Sequence, residues 1–221
     1  MSMRRPVGGA LQLVLMSRWP APGRCKRRLA VEVGARRAAA IQQRLSEHTA
    51  AVTRRLCREQ GIELVLAICG LGPRAARRWS HLCGMPRVVL QGPGSLGLRL
   101  QRQVNRALRE GASGLLLIGS DLPDLALTDL EEACRALERH PLVLGPARDG
   151  GYWLIGLRRS WRALFSGAPG ADAASGGGAI PWGSGEVLAR TLAAARASGD
   201  GVALVAQRGD LDRPGDLAWW R

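Results

Sequence analysis

The stretch Leu115-Leu116-Leu117-Ile118-Gly119 carries no polar side chain on either of the two faces a strand presents. It is too short for a buried helix, and a strand apolar on both faces has to be covered on both. Short apolar segments recur at about Ala10–Ser17, Ile62–Ile68, Arg87–Leu90, Leu142–Gly145, Tyr152–Leu157 and Val202–Val205. Between them lie segments with helical character. Residues 34–60 carry Ile41, Leu45, Val52 and Leu56 at helical spacing and stop at Gly61, and helices are expected at 73–82, 96–109 and about 185–196, with a last one opened by Pro214. Thr128-Asp129-Leu130-Glu131 fits a capping box opening a helix to about Arg139, which gives Glu131 and Glu132 structural roles. The alternation predicts an α/β fold, a mostly parallel sheet with helices on both faces. Ligands of such sheets sit beyond the carboxyl ends of the strands. Residues 1–9 are expected to be a disordered end, residues 10–221 a single domain, and the Gly/Ala/Ser-rich segment 166–179 a mobile loop.

Composition narrows the function classes. Five scattered cysteines, an odd number without a C-x-x-C pair, point to a reducing cytoplasm and away from structural zinc. His48, His81 and His140 have no metal-ligand spacing. The net charge of +14 permits binding to RNA or to a membrane surface. The arginines are spread along helical stretches, however, and beside seven Trp there is one Tyr and one Phe to stack on bases. A surface serving small anionic substrates is the simpler reading, with no specific nucleic acid; a basic RNA-binding protein without catalysis is the rival from another class. The apolar run Leu11–Met16 is too short to span a bilayer and lacks a cleavage site after it, so it reads as a buried strand despite Arg4-Arg5 before it.

The chemistry-bearing residues fall where strands end. After the first strand comes Pro20-Ala21-Pro22-Gly23-Arg24-Cys25-Lys26-Arg27-Arg28-Leu29, and Lys26 is the only lysine in the chain. A compact ammonium suits a crowded phosphate site better than a planar guanidinium does. A strand, a Pro/Gly turn and a Lys mark a place for a nucleotide phosphate, although one lysine on a solvated turn explains the same letters. Asp121 follows the apolar strand in Gly119-Ser120-Asp121-Leu122-Pro123, placed to bind Mg²⁺ through one or two carboxylates or simply to stabilise the turn. Asp149-Gly150-Gly151 is either a close backbone approach to a ligand or a plain hairpin turn. Asp210 and Asp212 lie between the last strand and the last helix, where Asp212 is a helix cap or a second metal ligand. Gly92-Pro93-Gly94-Ser95-Leu96-Gly97 is a literal G-x-G-x-x-G, which on a dinucleotide reading makes Asp121 the ribose partner.

Taken together, these segments resemble the bacterial rSAM/selenodomain-associated transferase 1 family, GT-A-like transferases described as glycosyltransferases and linked to arsenosugar biosynthesis. Its A-K-x-P-x-P-G-x-x-K-T-R-L is similar to Ser17–Leu29, and its G-D-L-G-x-R-M to Gly94–Leu100. Its G-S-D-x-P-x-L matches Gly119–Leu125, and its L-G-P-A-x-D-G-G-Y-x-L-I-G-L matches Leu144–Leu157. The family's W-x-T and D-x-D-T-P-E-D-L resemble Trp182-Gly183-Ser184 and Asp210–Leu217. Arg18, Arg27, Ser95 and Arg213 stand where the family has Lys, Thr, Asp and Thr.

The resemblance implies a nucleotide-diphospho-sugar transferase fold and a metal-dependent transferase, in the first place a glycosyltransferase using a nucleotide-sugar. A nucleotidyltransferase releasing pyrophosphate from a nucleoside triphosphate is the alternative. It implies catalytic roles for Lys26 and Asp121, and a nucleotide site of Pro22, Gly23, Lys26, Arg28, Gly94, Gly97 and Arg99. It further implies a small-molecule acceptor held by Asp149, Gly150, Gly151, Tyr152 and Trp182, and Mg²⁺ or Mn²⁺ on Asp121 and Asp212.

Overall fold

A computed structural model describes residues 9–165 and 180–219. The expected mobile loop at 166–179 lies outside the described residues, as does the expected disordered end except for Gly9, which bridges to Ala112. In chain order the elements are β1 (Gln12–Arg18), α1 (Arg27–Val33), α2 (Ala35–Gln60), β2 (Glu63–Cys69), α3 (Pro73–Leu82), β3 (Val88–Leu90) and α4 (Leu96–Arg109). Then come β4 (Leu115–Gly119), α5 (Leu127–Arg139), β5 (Leu142–Pro146), β6 (Tyr152–Leu157), α6 (Arg162–Phe165), α7 (Val187–Ala197), β7 (Val202–Leu204) and a 3₁₀ helix at Pro214–Trp219.

The strands form one seven-stranded sheet in the order β3-β2-β1-β4-β6-β5-β7. All its pairings are parallel except those of β6, which runs antiparallel to both β4 and β5. The double apolar face of the strands is used as expected. On one side Leu13, Leu15, Leu66, Ile68, Leu116 and Ile118 pack under α2, α3 and α5. On the other, Val14, Val65, Leu115, Leu117 and Ile155 pack under α4, α6 and α7. Each fully buried leucine contributes about 2 kcal/mol through surface removed from water. Between β1 and β4 the winding of the parallel sheet reverses direction, and the crevice beyond the carboxyl ends at such a reversal is where α/β sheets bind ligands. The turns carrying Lys26 and Asp121 leave from these two adjacent strands, in register at Met16 and Gly119.

Two local expectations give way. The helix expected from residue 34 is preceded by a separate one, α1, and Gly34 at φ 81 breaks the path between them. Helix α1 shows no long apolar periodicity because it is anchored by one residue, Leu29, in a small cluster with Ala38, Leu45 and Leu211. The capping box is also displaced. Helix α5 starts at Leu127, and the Asp129 carboxylate accepts the Ala126 N–H at 2.9 Å, so Asp129 is the capping acid and Thr128 lies inside the helix. Asp129 additionally pairs with Arg208, which fastens α5 to the segment after β7.

Candidate functional site

Beyond β1 the chain folds back tightly: Trp19 N–H reaches the Cys69 carbonyl at 3.0 Å and Arg24 N–H reaches the Ala21 carbonyl at 3.0 Å. Lys26 then opens α1 in a left-handed conformation, φ 45 and ψ 46, the only non-glycine residue with positive φ among the described residues. For a residue with a Cβ this conformation costs about 1 to 2 kcal/mol, a strain typical of sites that hold a side chain in place. The Lys26 side chain is only 2% exposed, with Nζ 3.0 Å from Asp121 Oδ2. That approach is off the line of a hydrogen bond, so none of the ammonium's N–H groups has an aligned acceptor among the described residues.

Asp121 is the more open partner, 42% exposed. Its Oδ1 accepts from Gln42 Nε2 at 2.9 Å. The same amide nitrogen is 3.3 Å from the hydroxyls of Ser46 and Ser120, so α2 reaches across the sheet end to fix the carboxylate. The Asp121 carbonyl accepts the Leu211 N–H at 3.0 Å, which draws residues 209–213 alongside.

Asp121 borders two cavities of opposite character. One, of about 500 Å³, is basic, with Arg18, Arg24, Lys26, Arg27, Arg28 and Arg99 in its lining. Arg28 Nη1 is held 2.9 Å from Asp212 Oδ2, and Arg99 Nε donates to the Gly94 carbonyl at 2.9 Å. Gln91 closes the floor, its Nε2 donating to the carbonyls of Ser17 and Ala67 at 2.9 Å each. Burial pushes the Cys25 thiol up, with Lys26 and Arg18 pulling against it.

The other cavity, of about 290 Å³, is walled by apolar groups including Met16, Leu100, Leu117, Ile155, Tyr152 and Trp182. Trp182 is edge-on to Tyr152 at 6.1 Å and stacked on Phe165 at 6.2 Å between centroids. Burial pushes the Tyr152 phenol above its ordinary value, the Thr191 hydroxyl only partly offsetting it. Among the described residues the charged lining consists of Asp121, Asp149 and Asp210. Burial raises the Asp210 carboxyl, the Asp149 charge adds to it, and Lys26 opposes.

The expected nucleotide and acceptor residues divide between these places. Lys26, Arg28, Arg99, Asp121 and Asp212 come together on the basic cleft. Asp149, Gly151, Tyr152 and Trp182 join Asp121 on the apolar cavity. Pro22, Gly23, Gly94, Gly97 and Gly150 line neither. Gly97 is required by packing: a Cβ there would sit 2.3 Å from Trp182 Nε1 and 2.8 Å from the Phe165 carbonyl oxygen. The last glycine of the G-x-G-x-x-G thus serves a helix-to-indole contact, and the Asp121 carboxylate that a ribose would need is held by Lys26 and Gln42. Gly150, at φ 86, likewise abuts the Gly185 backbone, and its carbonyl accepts the Leu188 N–H at the start of α7.

Gln42 and Gln91 escape a reading of motifs. Their one signal is polarity where a core face is expected: Gln42, Ser46, Thr49 and Thr53 are all buried on α2. Among the described residues no three His, Cys, Asp or Glu side chains are grouped to hold a metal. The donors present, Asp121 with Asp212 on one side and Asp210 on the other, fit Mg²⁺ or Mn²⁺ bound by one or two carboxylates, with phosphate oxygens and water completing the sphere.

The sequence pattern of one protein family matches residues 49–170. The chain belongs to DUF2064, described as an uncharacterized protein conserved in bacteria. No curated protein sequence matches it. Among solved structures, a protein of Desulfovibrio desulfuricans provisionally described as a nucleotide-diphospho-sugar transferase has a TM-score of 0.76 at 24% identity, over 93% of this chain and 83% of that one. A 4-diphosphocytidyl-2C-methyl-D-erythritol synthase of Anaerococcus prevotii has a TM-score of 0.61 at 12% identity, over 96% and 95%. Glucosyl-3-phosphoglycerate synthase of Mycobacterium tuberculosis, solved with Mn²⁺, UDP and its product, has a TM-score of 0.55 at 15% identity, over 99% and 81%. The DUF2064 chain therefore has the GT-A-like nucleotide-diphospho-sugar transferase fold. No helix among its described residues is long and apolar enough to cross a membrane.

Proposed function

We propose that the protein is a metal-dependent glycosyltransferase using a nucleotide-sugar donor, related to the rSAM-associated transferases through the segments quoted above. One observation carries the reading: a basic cleft and an apolar, aromatic cavity meet at a single carboxylate, Asp121. In this reading the donor's diphosphate lies in the cleft beside Lys26, Arg28 and Arg99, and the sugar projects past Asp121 toward Tyr152 and Trp182. The buried ammonium, without an aligned acceptor, is pre-placed to donate to a phosphate oxygen. Mg²⁺ or Mn²⁺ on Asp121, with Asp212 or Asp210 as a second oxygen donor, would neutralise charge on the departing diphosphate.

The acceptor's nucleophilic atom forms a bond to the anomeric carbon while the bond from that carbon to the diphosphate oxygen breaks. The acceptor proton passes to a carboxylate of Asp149 or Asp210, and the nucleoside diphosphate leaves as an anion. Asp149 is oriented for this by the Gly151 N–H, which donates to its Oδ1 at 2.9 Å. Gln42 keeps Asp121 in place through the cycle.

Nucleotidyl transfer is the second reading, favoured by the six cationic side chains on the cleft, more than a diphosphate requires. Solved neighbours that include a diphosphocytidyl-methylerythritol synthase and a CTP-bound CMP-sugar-acid synthetase support it as well. Incubation with Mg²⁺ or Mn²⁺ and panels of nucleotide-sugars and triphosphates distinguishes the two. Nucleoside diphosphate release supports glycosyl transfer, pyrophosphate release supports nucleotidyl transfer, and turnover of neither panel removes both.

A further inference from the structure

Both oxygens of the Asp121 carboxylate are engaged within the chain. Oδ1 accepts from Gln42 Nε2 at 2.9 Å, and Oδ2 lies 3.0 Å from Lys26 Nζ. Asp212, the other acid that lines the basic cleft among the described residues, holds Arg28 Nη1 at 2.9 Å. The two pairs differ in burial. The Arg28 side chain is 66% exposed, so water screens its charge. The Lys26 side chain is almost wholly buried, so its charge acts on Asp121 across a short and poorly screened gap. Its backbone is left-handed, φ 45, a conformation that persists only where the surrounding structure over-determines it.

We infer that the Lys26 ammonium is the resident counter-ion of Asp121 and holds a lone divalent cation off this carboxylate until a phosphate group engages the lysine. The inference rests on the placement of metal and diphosphate proposed above and adds their mutual dependence. A divalent ion approaching Asp121 by itself meets a carboxylate whose charge is already balanced. Repulsion between that ion and a buried ammonium sharing the same carboxylate weakens binding at least about tenfold. A diphosphate changes the balance. Nζ has no aligned acceptor among the described residues, so its N–H groups can turn to phosphate oxygens without giving up a hydrogen bond. With the ammonium answered by phosphate, Asp121 recovers its negative charge for the metal. Metal and nucleotide then bind with positive coupling, and by linkage each raises the affinity of the other by the same factor.

Mn²⁺ alone, titrated into nucleotide-free protein and followed by the electron paramagnetic resonance of the free ion, tests this. Two neutral variants guard against a failure to fold: Lys26→Met keeps the apolar stem, and Lys26→Asn introduces a residue that tolerates the left-handed backbone. Each is expected to bind Mn²⁺ at least about tenfold more tightly than the parent. Adding Asp121→Asn to either should erase that gain, which locates the ion. Arg27→Gln removes an exposed cation from the same cleft and should change Mn²⁺ affinity by less than about threefold. Unchanged Mn²⁺ affinity in the folded neutral variants, a gain that survives Asp121→Asn, an equal gain in Arg27→Gln, or no Mn²⁺ binding to any variant up to about 10 mM would each overturn the inference. Because no nucleotide is used, any of these results beside normal donor turnover removes the counter-ion role alone. Absent turnover with both donor panels removes the transferase reading instead.

Discussion

The two members of the central ion pair are buried unequally, and their removal should therefore have unequal effects. The Lys26 side chain is 2% exposed and that of Asp121 is 42% exposed. Asp121→Asn removes the only carboxylate paired with the ammonium among the described residues and leaves a desolvated cation behind, a change that in fully buried pairs is worth about 3 to 5 kcal/mol. Water reaches this pair from the Asp121 side, which lowers the expectation to about 2 to 3 kcal/mol. In a domain of this size that is a fall in Tm of roughly 4 to 12 °C.

Lys26→Met keeps the length and apolar stem, removes the buried charge, and leaves a carboxylate that water and Gln42 Nε2 can solvate. Its stability should stay within about 1 kcal/mol of the parent. Thermal melts followed by circular dichroism at neutral pH measure both. Equal destabilisation by the two substitutions, or the greater loss in Lys26→Met, would refute the argument from unequal burial.

Gly97→Ala places a methyl against Trp182 and the Phe165 carbonyl, so it should lose about 1 to 3 kcal/mol and shift the Trp182 emission, whereas a silent substitution would show that the indole is not packed there. At the opposite end of the sheet, burial tends to raise the Glu63 carboxyl but is outweighed by hydrogen bonds from Gln12 and Arg87, and Glu110 is lowered in the same way with Arg87 and Arg106. Carboxylates held below their ordinary values stabilise the fold above about pH 4.5 and release that stability as pH falls through their lowered values. Glu63→Gln should flatten the decline of Tm between about pH 5 and pH 3, and an unchanged slope would contradict the network. Burial pushes the Cys57 thiol up to about 12 and those of Cys83 and Cys134 up to about 11. Half-buried Cys69, on the cleft, should be the first cysteine alkylated in the native protein, and bound nucleotide should slow that reaction; early modification of Cys57 would count against the packing of α2 on α5.

Elements defined by local pattern were legible in the chain. The run Leu115–Gly119 names a strand covered on both faces because no other short element tolerates it, and α3, α4 and β6 occupy the residues their periodicity marks. The strand order was not legible: that β1 and β4 are neighbours, and that β6 alone runs backwards, follows from pairing across distances that local spacing does not encode. For that reason Asp121 and Lys26 stood out singly, while their 3.0 Å approach did not. The last glycine of the G-x-G-x-x-G misdirects because its cause is remote, the Trp182 indole 85 residues further along. Gln42 is hidden for the opposite reason, as a polar residue on a buried helix face whose partners come from a turn 78 and 79 residues away. Asp210 is similar: its neighbour Asp212 fits the metal pattern equally well, and only the fold sets Asp210 on the apolar cavity and Asp212 against Arg28.

The central claim is that an activated nucleotide is gripped in the basic cleft by Lys26 and a divalent ion on Asp121. Calorimetric titration of a nucleotide-sugar panel into parent and Lys26→Met protein, each with and without Mg²⁺, tests it most directly. The account predicts saturable binding to the parent that weakens at least tenfold without Mg²⁺ and at least about a hundredfold in Lys26→Met, equivalent to about 2.7 kcal/mol. Binding of equal strength in Lys26→Met, or no binding of any nucleotide to the parent, would contradict it.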